Sequence, residues 1–196
     1  MQISLISSIL FRLWVAASFS QGSVKNFYGI QEILMFNKIN FKLSWSSHPL
    51  ENYYKQEYVP PGQTVEHFND MVLIDFLKQD ISVDDVVQTE ILSIEKRKKT
   101  DLVCNYQVIK NQSAGEFILD FVLSEGNGNT VKTIEWNAYR FKPYRDKSGH
   151  QGVLLFGISH RAYDNNASDF LKSLGSYRKE ILMKLSAFSI PDIQIN

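Results

Sequence analysis

The chain has 196 residues, of which 44% are hydrophobic, 13% aromatic and 21% charged. This composition excludes intrinsic disorder, collagen-like repeats and coiled coil, and the length predicts one domain. Lys and Arg together number 21, as do Asp and Glu, so the net charge is zero. We therefore expect no nucleic-acid partner held by net charge, although a local basic patch stays open.

The N-terminal segment has the pattern of an export signal. Residues 3–19 are apolar or small apart from Arg12, and Ser18-Phe19-Ser20 is a small-x-small triplet that suits signal peptidase. We predict a signal peptide over residues 1–20, a single globular domain over residues 21–196, and a periplasmic or secreted location. The run is too short for a transmembrane helix, which needs about 20 apolar residues. The alternative is a first amphipathic helix in a cytoplasmic protein.

The first half of the chain predicts three strands and a helix. Residues 39–46 alternate in polarity, with their apolar set on one face: Ile39, Phe41, Leu43 and Trp45. Residues 53–59 form a second predicted strand, ended by Pro60-Pro61-Gly62, and residues 71–77 form a third. Ser82 and Asp85 then make a capping box for a helix. The basic residues 96–99 complement the dipole at its end, so we do not assign them to nucleic-acid binding.

The second half predicts four strands and a closing helix. Strands are expected over residues 102–110, 116–124, 131–141 and 152–159, and a long apolar stripe begins at Asp169. The phase of the third strand reverses after Ala138, which predicts a bulge or a bend. The fourth strand is apolar on both faces and is therefore expected at the centre of its sheet. Together the elements predict an α+β fold in which helices sandwich an antiparallel-rich sheet, an α/β/α arrangement.

Residues 57–72, EYVPPGQTVEHFNDMV, contain a motif of the form E-[FY]-[VIL]-P-x-G-x-T-x-x-x-[WF]. The matching positions are Glu57, Tyr58, Val59, Pro60, Gly62, Thr64 and Phe68. In this stretch of about 16 residues the chain resembles small exported bacterial proteins of the Mog1/PsbP-like fold. The resemblance implies that fold and a role in binding or in support of an assembly, and it carries over no catalytic residue.

Enzyme motifs are missing from the sequence. Cys104 shares the parity of Tyr106 and Val108 in a predicted strand and so points to the core. The four histidines show no metal-binding spacing, and there is no nucleophile elbow, phosphate loop or dinucleotide fingerprint. We therefore predict no catalytic residue, no cofactor and no metal.

One segment combines aromatic and cationic side chains in a way that suits an anionic ligand. The predicted binding patch contains Tyr139, Arg140, Phe141, Lys142, Tyr144 and Arg145, with His160, Arg161 and Tyr163 from the next strand. The two segments flank the 144–151 turn, so we expect them to be adjacent. On this view alanine at Arg140 or Arg145 weakens binding and leaves stability nearly unchanged. The alternative is a hairpin whose arginine stems cover apolar surface.

These observations favour an exported, non-catalytic protein of the bacterial envelope that binds a protein partner or a small ligand. A second hypothesis is a hydrolase or transferase with an unrecognised site, using His160 or His67. A third is an intracellular adaptor, which applies if residues 1–20 are not a signal.

Overall fold

A computed structural model describes residues 24–127 and 130–195. The predicted signal peptide therefore lies outside the described residues. Within them the chain forms eight strands and two helices: β1 (Ile33–Phe36), β2 (Ile39–Leu50), β3 (Tyr53–Val59), β4 (Asp70–Leu77), α1 (Val83–Lys98), β5 (Asn105–Asn111), β6 (Glu116–Asn127), β7 (Thr130–Arg145), β8 (Gln151–Tyr163) and α2 (Ala167–Ala187).

All eight strands belong to one antiparallel sheet in the order β1-β2-β3-β4-β8-β7-β6-β5. The central position predicted for residues 152–159 is confirmed, since β8 lies between β4 and β7 and is buried from Val153 to Ser159. The β7–β8 ladder runs without a break from the pair Thr133–Tyr163 to the pair Arg145–Gln151. These two long strands form the middle of the molecule.

The two helices pack on opposite faces of the sheet. Leu154 and Phe156 of β8 share a core cluster with Ile181 of α2, and we call this side the α2 face. Val153 and Leu155 point the other way and cluster with α1, on the α1 face. Alternation along a strand therefore decides which helix a side chain meets. Among the described residues no helix is both long and apolar enough to cross a membrane.

The predicted α/β/α sandwich is wrong, because the protein has a mainly β fold. The sheet contains eight strands of up to 16 residues, whereas the helices are only two, of 16 and 21 residues. One helix on each side covers only part of an eight-strand sheet, so the sheet and not helical layers makes up most of the fold. The sequence patterns located the helices, but they missed β1 and underestimated the lengths of β2, β7 and β8.

The sequence pattern predicted the start of α1 correctly, but it did not predict where the strands are irregular. The Ser82 cap is confirmed, since its Oγ accepts a hydrogen bond from the Asp85 amide at 3.0 Å. The bulge predicted after Ala138 is wrong, because β7 is covered on both faces and alternates without a phase change. A register shift occurs instead in β2, between Leu43 and Trp45. It places Trp45 opposite Glu57, on the α1 face.

Arg140 joins β7 to the C-terminal end of α2. Its guanidinium pairs with Glu116 at 2.9 Å and donates hydrogen bonds to the carbonyl oxygens of Leu185 and Phe188, at 3.1 and 2.9 Å. The last carbonyls of a helix have no partner within the helix, so this side chain supplies one. Arg145, five residues further along the same strand, is exposed and donates to the Gly149 carbonyl at 3.3 Å.

We therefore predict different effects of alanine at the two arginines. Arg140→Ala leaves Glu116 and two helix-end carbonyls without their partner and lowers the free energy of unfolding by about 2–4 kcal/mol. Arg145→Ala is the matched control and changes it by less than about 0.5 kcal/mol. Urea denaturation of both variants checks this, and equal stability of the two would contradict the structural role of Arg140.

Candidate functional site

The predicted patch does not form one surface. The hairpin of β7 and β8 exists, but its register pairs Arg145 with Gln151 and Trp136 with His160. Arg145 and His160 are thus nine residues apart along the ladder, which is about 30 Å at ~3.3 Å per residue. Alternation also divides the patch, since Arg140 and His160 contact α2 while Tyr139 and Phe141 belong to the α1 face.

Several members of the patch have structural contacts. Phe141 is fully buried, and the Tyr139 hydroxyl donates to Asn137 Oδ1 at 3.2 Å. Arg161 is buried in an ion pair with Glu135. These side chains were predicted to bind a partner, but in the structure they contact other residues of the sheet.

The two remaining members from β8 also pack against neighbours. His160 Nδ1 lies 2.8 Å from Asp70 Oδ1, and its ring stacks on Tyr177 at 4.2 Å between centroids. The Tyr163 hydroxyl accepts a hydrogen bond from the Phe68 amide and donates to the Phe68 carbonyl. They fasten α2 and the segment before β4 to the sheet.

The other end of the patch borders a shallow groove of about 400 Å³, lined by Gln79, Asp80, Ile81, Pro143, Tyr144, Arg145, Gln151 and Gly152. Lys142 lies over the Tyr144 ring at 5.6 Å, and the Tyr144 hydroxyl accepts a hydrogen bond from the Ile193 amide. Ligand binding by Lys142, Tyr144 and Arg145 stays a prediction.

A different set of side chains has the features of a functional site. We call it the carboxylate cluster, and it consists of Lys55, Glu57, Asp75 and Glu90. Lys55 and Glu57 share one face of β3, and Lys55 is the cross-strand partner of Asp75 in β4. Glu90 comes from α1, where it falls on the buried stripe of the helix. Two strands and a helix thus bring three carboxyl groups and one ammonium together.

Only part of the cluster is internally paired. The Lys55 ammonium lies 3.7 Å from Asp75 Oδ2, and the same oxygen accepts a hydrogen bond from the Tyr53 hydroxyl. Asp75 Oδ1 and Glu90 Oε2 are buried and have no hydrogen-bond partner among the described residues. Asp75 is 3% exposed and Glu90 2% exposed. Buried carboxylate oxygens of this kind nearly always have a partner in folded proteins.

Burial and mutual repulsion shift the titration of these groups. Burial raises the pKa of Glu57 to about 7 and, with the added repulsion of Asp75, that of Glu90 to about 8. Burial also raises the pKa of Asp75 against the opposing effect of Lys55. Burial alone would lower the pKa of Lys55, but the neighbouring carboxylates, Asp75 first, raise it above its ordinary value. Clusters of perturbed carboxyl groups are a recognised mark of functional sites.

Two members of the cluster are partly exposed to solvent. The Lys55 side chain is 17% exposed, and Glu57 is half-buried. Trp45 is half-buried beside it, because the β2 register shift makes it the cross-strand partner of Glu57. A half-buried tryptophan is therefore the cross-strand neighbour of one carboxyl group of the cluster.

A second polar stretch continues from the cluster along the α1 face. Asn137 is fully buried, and its Oδ1 accepts hydrogen bonds from Ser159 and Tyr139, at 2.5 and 3.2 Å. Its Nδ2 has no partner among the described residues. Gly157 lets the side chains of Leu73 and Tyr139 close over it, since a Cβ there would lie 2.7 Å from each. The α1 face therefore holds a further buried polar group without a partner among the described residues.

Sequence reasoning missed the carboxylate cluster, although signals for it were present. Asp75 interrupts the apolar run of residues 71–77. Glu90 falls between Val87 and Ile94 at the helical spacing of the apolar stripe. Both are charged residues at positions whose pattern requires burial, and such positions are informative when they occur.

The described residues offer few side chains that could hold a metal ion or a cofactor. Across residues 24–127 and 130–195, no three or more His, Cys, Asp or Glu side chains are placed to hold a metal ion. Cys104 is buried and donates weakly to the Ile94 carbonyl, and burial raises the pKa of its thiol to about 11. The carboxylate cluster can accept hydrogen bonds, exchange protons near neutral pH and attract positive charge.

The raised carboxyl pKa values predict how stability depends on pH. Between about pH 5 and pH 8 the folded chain holds protons on Glu57 and Glu90 that the unfolded chain has lost, so stability falls as the pH rises. Each group contributes at most ~1.4 kcal/mol per pH unit. Glu90→Gln should flatten this slope and stabilise the protein at pH 9, whereas Asp84→Asn, a change at an exposed carboxylate, should not. Urea denaturation from pH 5 to 9 tests this, and an unchanged slope in Glu90→Gln would refute it.

Of three comparisons with known proteins, one finds a match, and that match covers the whole sheet and both helices. No curated protein gives a significant match to the chain, and no solved structure does. The model of one protein family matches residues 28–190. This span is more than half of the chain and includes every strand of the sheet and both helices. The chain therefore belongs to that family.

Proposed function

We propose that this protein binds a small polar ligand at the carboxylate cluster and releases it unchanged. The observation that carries the proposal is the pair of buried oxygens, Asp75 Oδ1 and Glu90 Oε2, which have no hydrogen-bond partner among the described residues. A buried acceptor without a donor costs free energy, so a ligand that brings donors gains affinity there. The partial exposure of Lys55 and Glu57 gives such a ligand access to the cluster from solvent.

The protonation states at the cluster favour binding over covalent catalysis. The neighbouring carboxylates raise the pKa of Lys55 against the effect of burial, which keeps it an ammonium ion without a free electron pair. Burial and the Asp75 charge hold the pKa of Tyr53 well above its ordinary value, so its hydroxyl stays protonated. Neither group is an activated nucleophile.

One observation favours an enzyme as the second candidate. Glu57 is half-buried and its pKa, raised by burial to about 7, suits a general acid or base near neutral pH. Such an enzyme would return its ligand with an altered mass, whereas a binding protein returns it unaltered. The same experiment therefore separates the two functions.

The proposal includes export to the bacterial envelope. Its support is the apolar run of residues 3–19, the triplet Ser18-Phe19-Ser20 and the resemblance at residues 57–72. We expect mature protein from the source cells to begin at Gln21, as measured by intact mass. Exported protein that retains Met1 would contradict the cleavage.

The binding function is tested by native mass spectrometry after incubation with a mixture of metabolite-sized amines, amino acids, sugars and carboxylic acids. We expect the wild-type protein to retain one small molecule and Asp75→Asn to lose it, because the amide replaces an acceptor oxygen with a donor. Asp84→Asn, which changes an exposed carboxylate of α1, should retain it.

Three results would overturn this function. They are the absence of any retained molecule in the wild type, retention by folded Asp75→Asn, and release of a product of altered mass. Near-ultraviolet circular dichroism verifies the fold of each variant, and Glu90→Gln replaces Asp75→Asn if the latter is unfolded.

A further inference from the structure

The carboxylate cluster has an imbalance of charge that the other buried ion pairs lack. It contains three carboxyl groups and one ammonium, whereas Arg161 pairs with Glu135 and Arg178 with Asp120. Elsewhere on the sheet, then, a buried carboxylate has a guanidinium partner. A second positive charge at the cluster favours the ionised form of these carboxyl groups, and at low dielectric its attraction to them is strong.

The donors that this cluster lacks match those of an organic cation. Asp75 Oδ1 and Glu90 Oε2 are acceptors without partners, on side chains that are 3% and 2% exposed. An ammonium group carries three N–H donors and no acceptor, and a guanidinium carries five donors. Either group brings at least as many donors as these two oxygens need.

The aromatic residue beside Glu57, Trp45, favours the same class of ligand. Trp45 lies opposite Glu57 across the β2–β3 ladder and is half-buried, so it is the aromatic neighbour of one carboxyl group of the cluster. Tryptophan has the aromatic face that attracts organic cations best. Within the cluster the Lys55 ammonium already lies 5.9 Å from the centre of the Tyr53 ring.

We infer that the ligand of the carboxylate cluster is a small organic cation, with a primary ammonium or guanidinium group seated on Asp75 and Glu90 and its alkyl part against Trp45. This inference rests on the proposed function and names its ligand class. Binding displaces protons from carboxyl groups, so affinity should rise between pH 6 and pH 8.5 while the ligand stays charged. The charged groups that act on Glu57 and Glu90 are Lys55, Asp75, Glu135 and Arg161, and the titratable hydroxyls of Tyr53 and Tyr139 also interact with Glu90.

Isothermal titration calorimetry with a matched four-carbon series tests the inference. The probes are 1,4-diaminobutane and butylguanidine as cations, butane-1,4-diol as the neutral analogue, succinate as the anion, and MgCl2 and CaCl2 as metal ions alone. We expect at least one organic cation to bind about 10- to 100-fold more tightly than the diol and succinate. Asp75→Asn and Glu90→Gln should each weaken it about tenfold or more, and Asp84→Asn should not.

The outcomes separate the two proposals. Tight binding of the diol or succinate that Asp75→Asn abolishes overturns the cation class and keeps the binding function. Binding of a metal ion but of neither organic cation also overturns the cation class. Cation binding that survives both Asp75→Asn and Glu90→Gln places the site elsewhere and overturns both proposals. Binding by neither organic cation overturns the inference, whatever the metabolite mixture shows.

Discussion

The ladder between β7 and β8 is the constraint on which the rest of the structure depends. Both strands lie at the centre of the sheet and are covered on both faces, so each alternate side chain must suit one of two environments. Leu154 and Phe156 belong to the α2 face, and Val153 and Leu155 belong to the α1 face. Residues paired across neighbouring strands lie on the same face of the sheet. Because Leu155 pairs with Asp75 and Asp75 pairs with Lys55, both of these residues lie on the α1 face.

The two faces use this arrangement differently. The α2 face is closed by both ends of the described chain: Tyr28 and Ile193 are fully buried there, and the Tyr28 hydroxyl donates to the carbonyl of Tyr54 or of Ile74. The α1 face keeps ionisable groups under a shorter helix. A buried ion costs several kcal/mol unless it is well paired. The α2 face pairs its buried charges, as Asp120 does with Arg178, whereas the α1 face holds carboxyl oxygens without a partner among the described residues.

The sequence allowed seven of the eight strands, both helices and their order along the chain to be predicted, because alternation and capping are local properties. It did not reveal the fold class, because the lengths of β7 and β8 depend on pairing between distant segments. Trp45 was assigned to the face of Leu43 because a register shift leaves no mark in an alternating pattern. The patch was predicted from neighbours in sequence, whereas Arg140 and His160 are engaged by α2. Asp75 and Glu90 carried a readable signal, but only the fold brings them together.

The contrast between the patch and the cluster has a physical cause. A long cationic side chain can reach a carbonyl or a carboxylate several residues away, as Arg140 does at the end of α2, so a row of cations often has a structural use. A carboxylate on the buried stripe of a helix cannot reach solvent, and at Glu90 one oxygen has no hydrogen-bond partner among the described residues. At Glu90 an apolar side chain of similar volume would pack α1 equally well and avoid the desolvation of a charge. The carboxylate is therefore disadvantageous for folding alone, and it becomes favourable when a bound cation supplies the opposite charge.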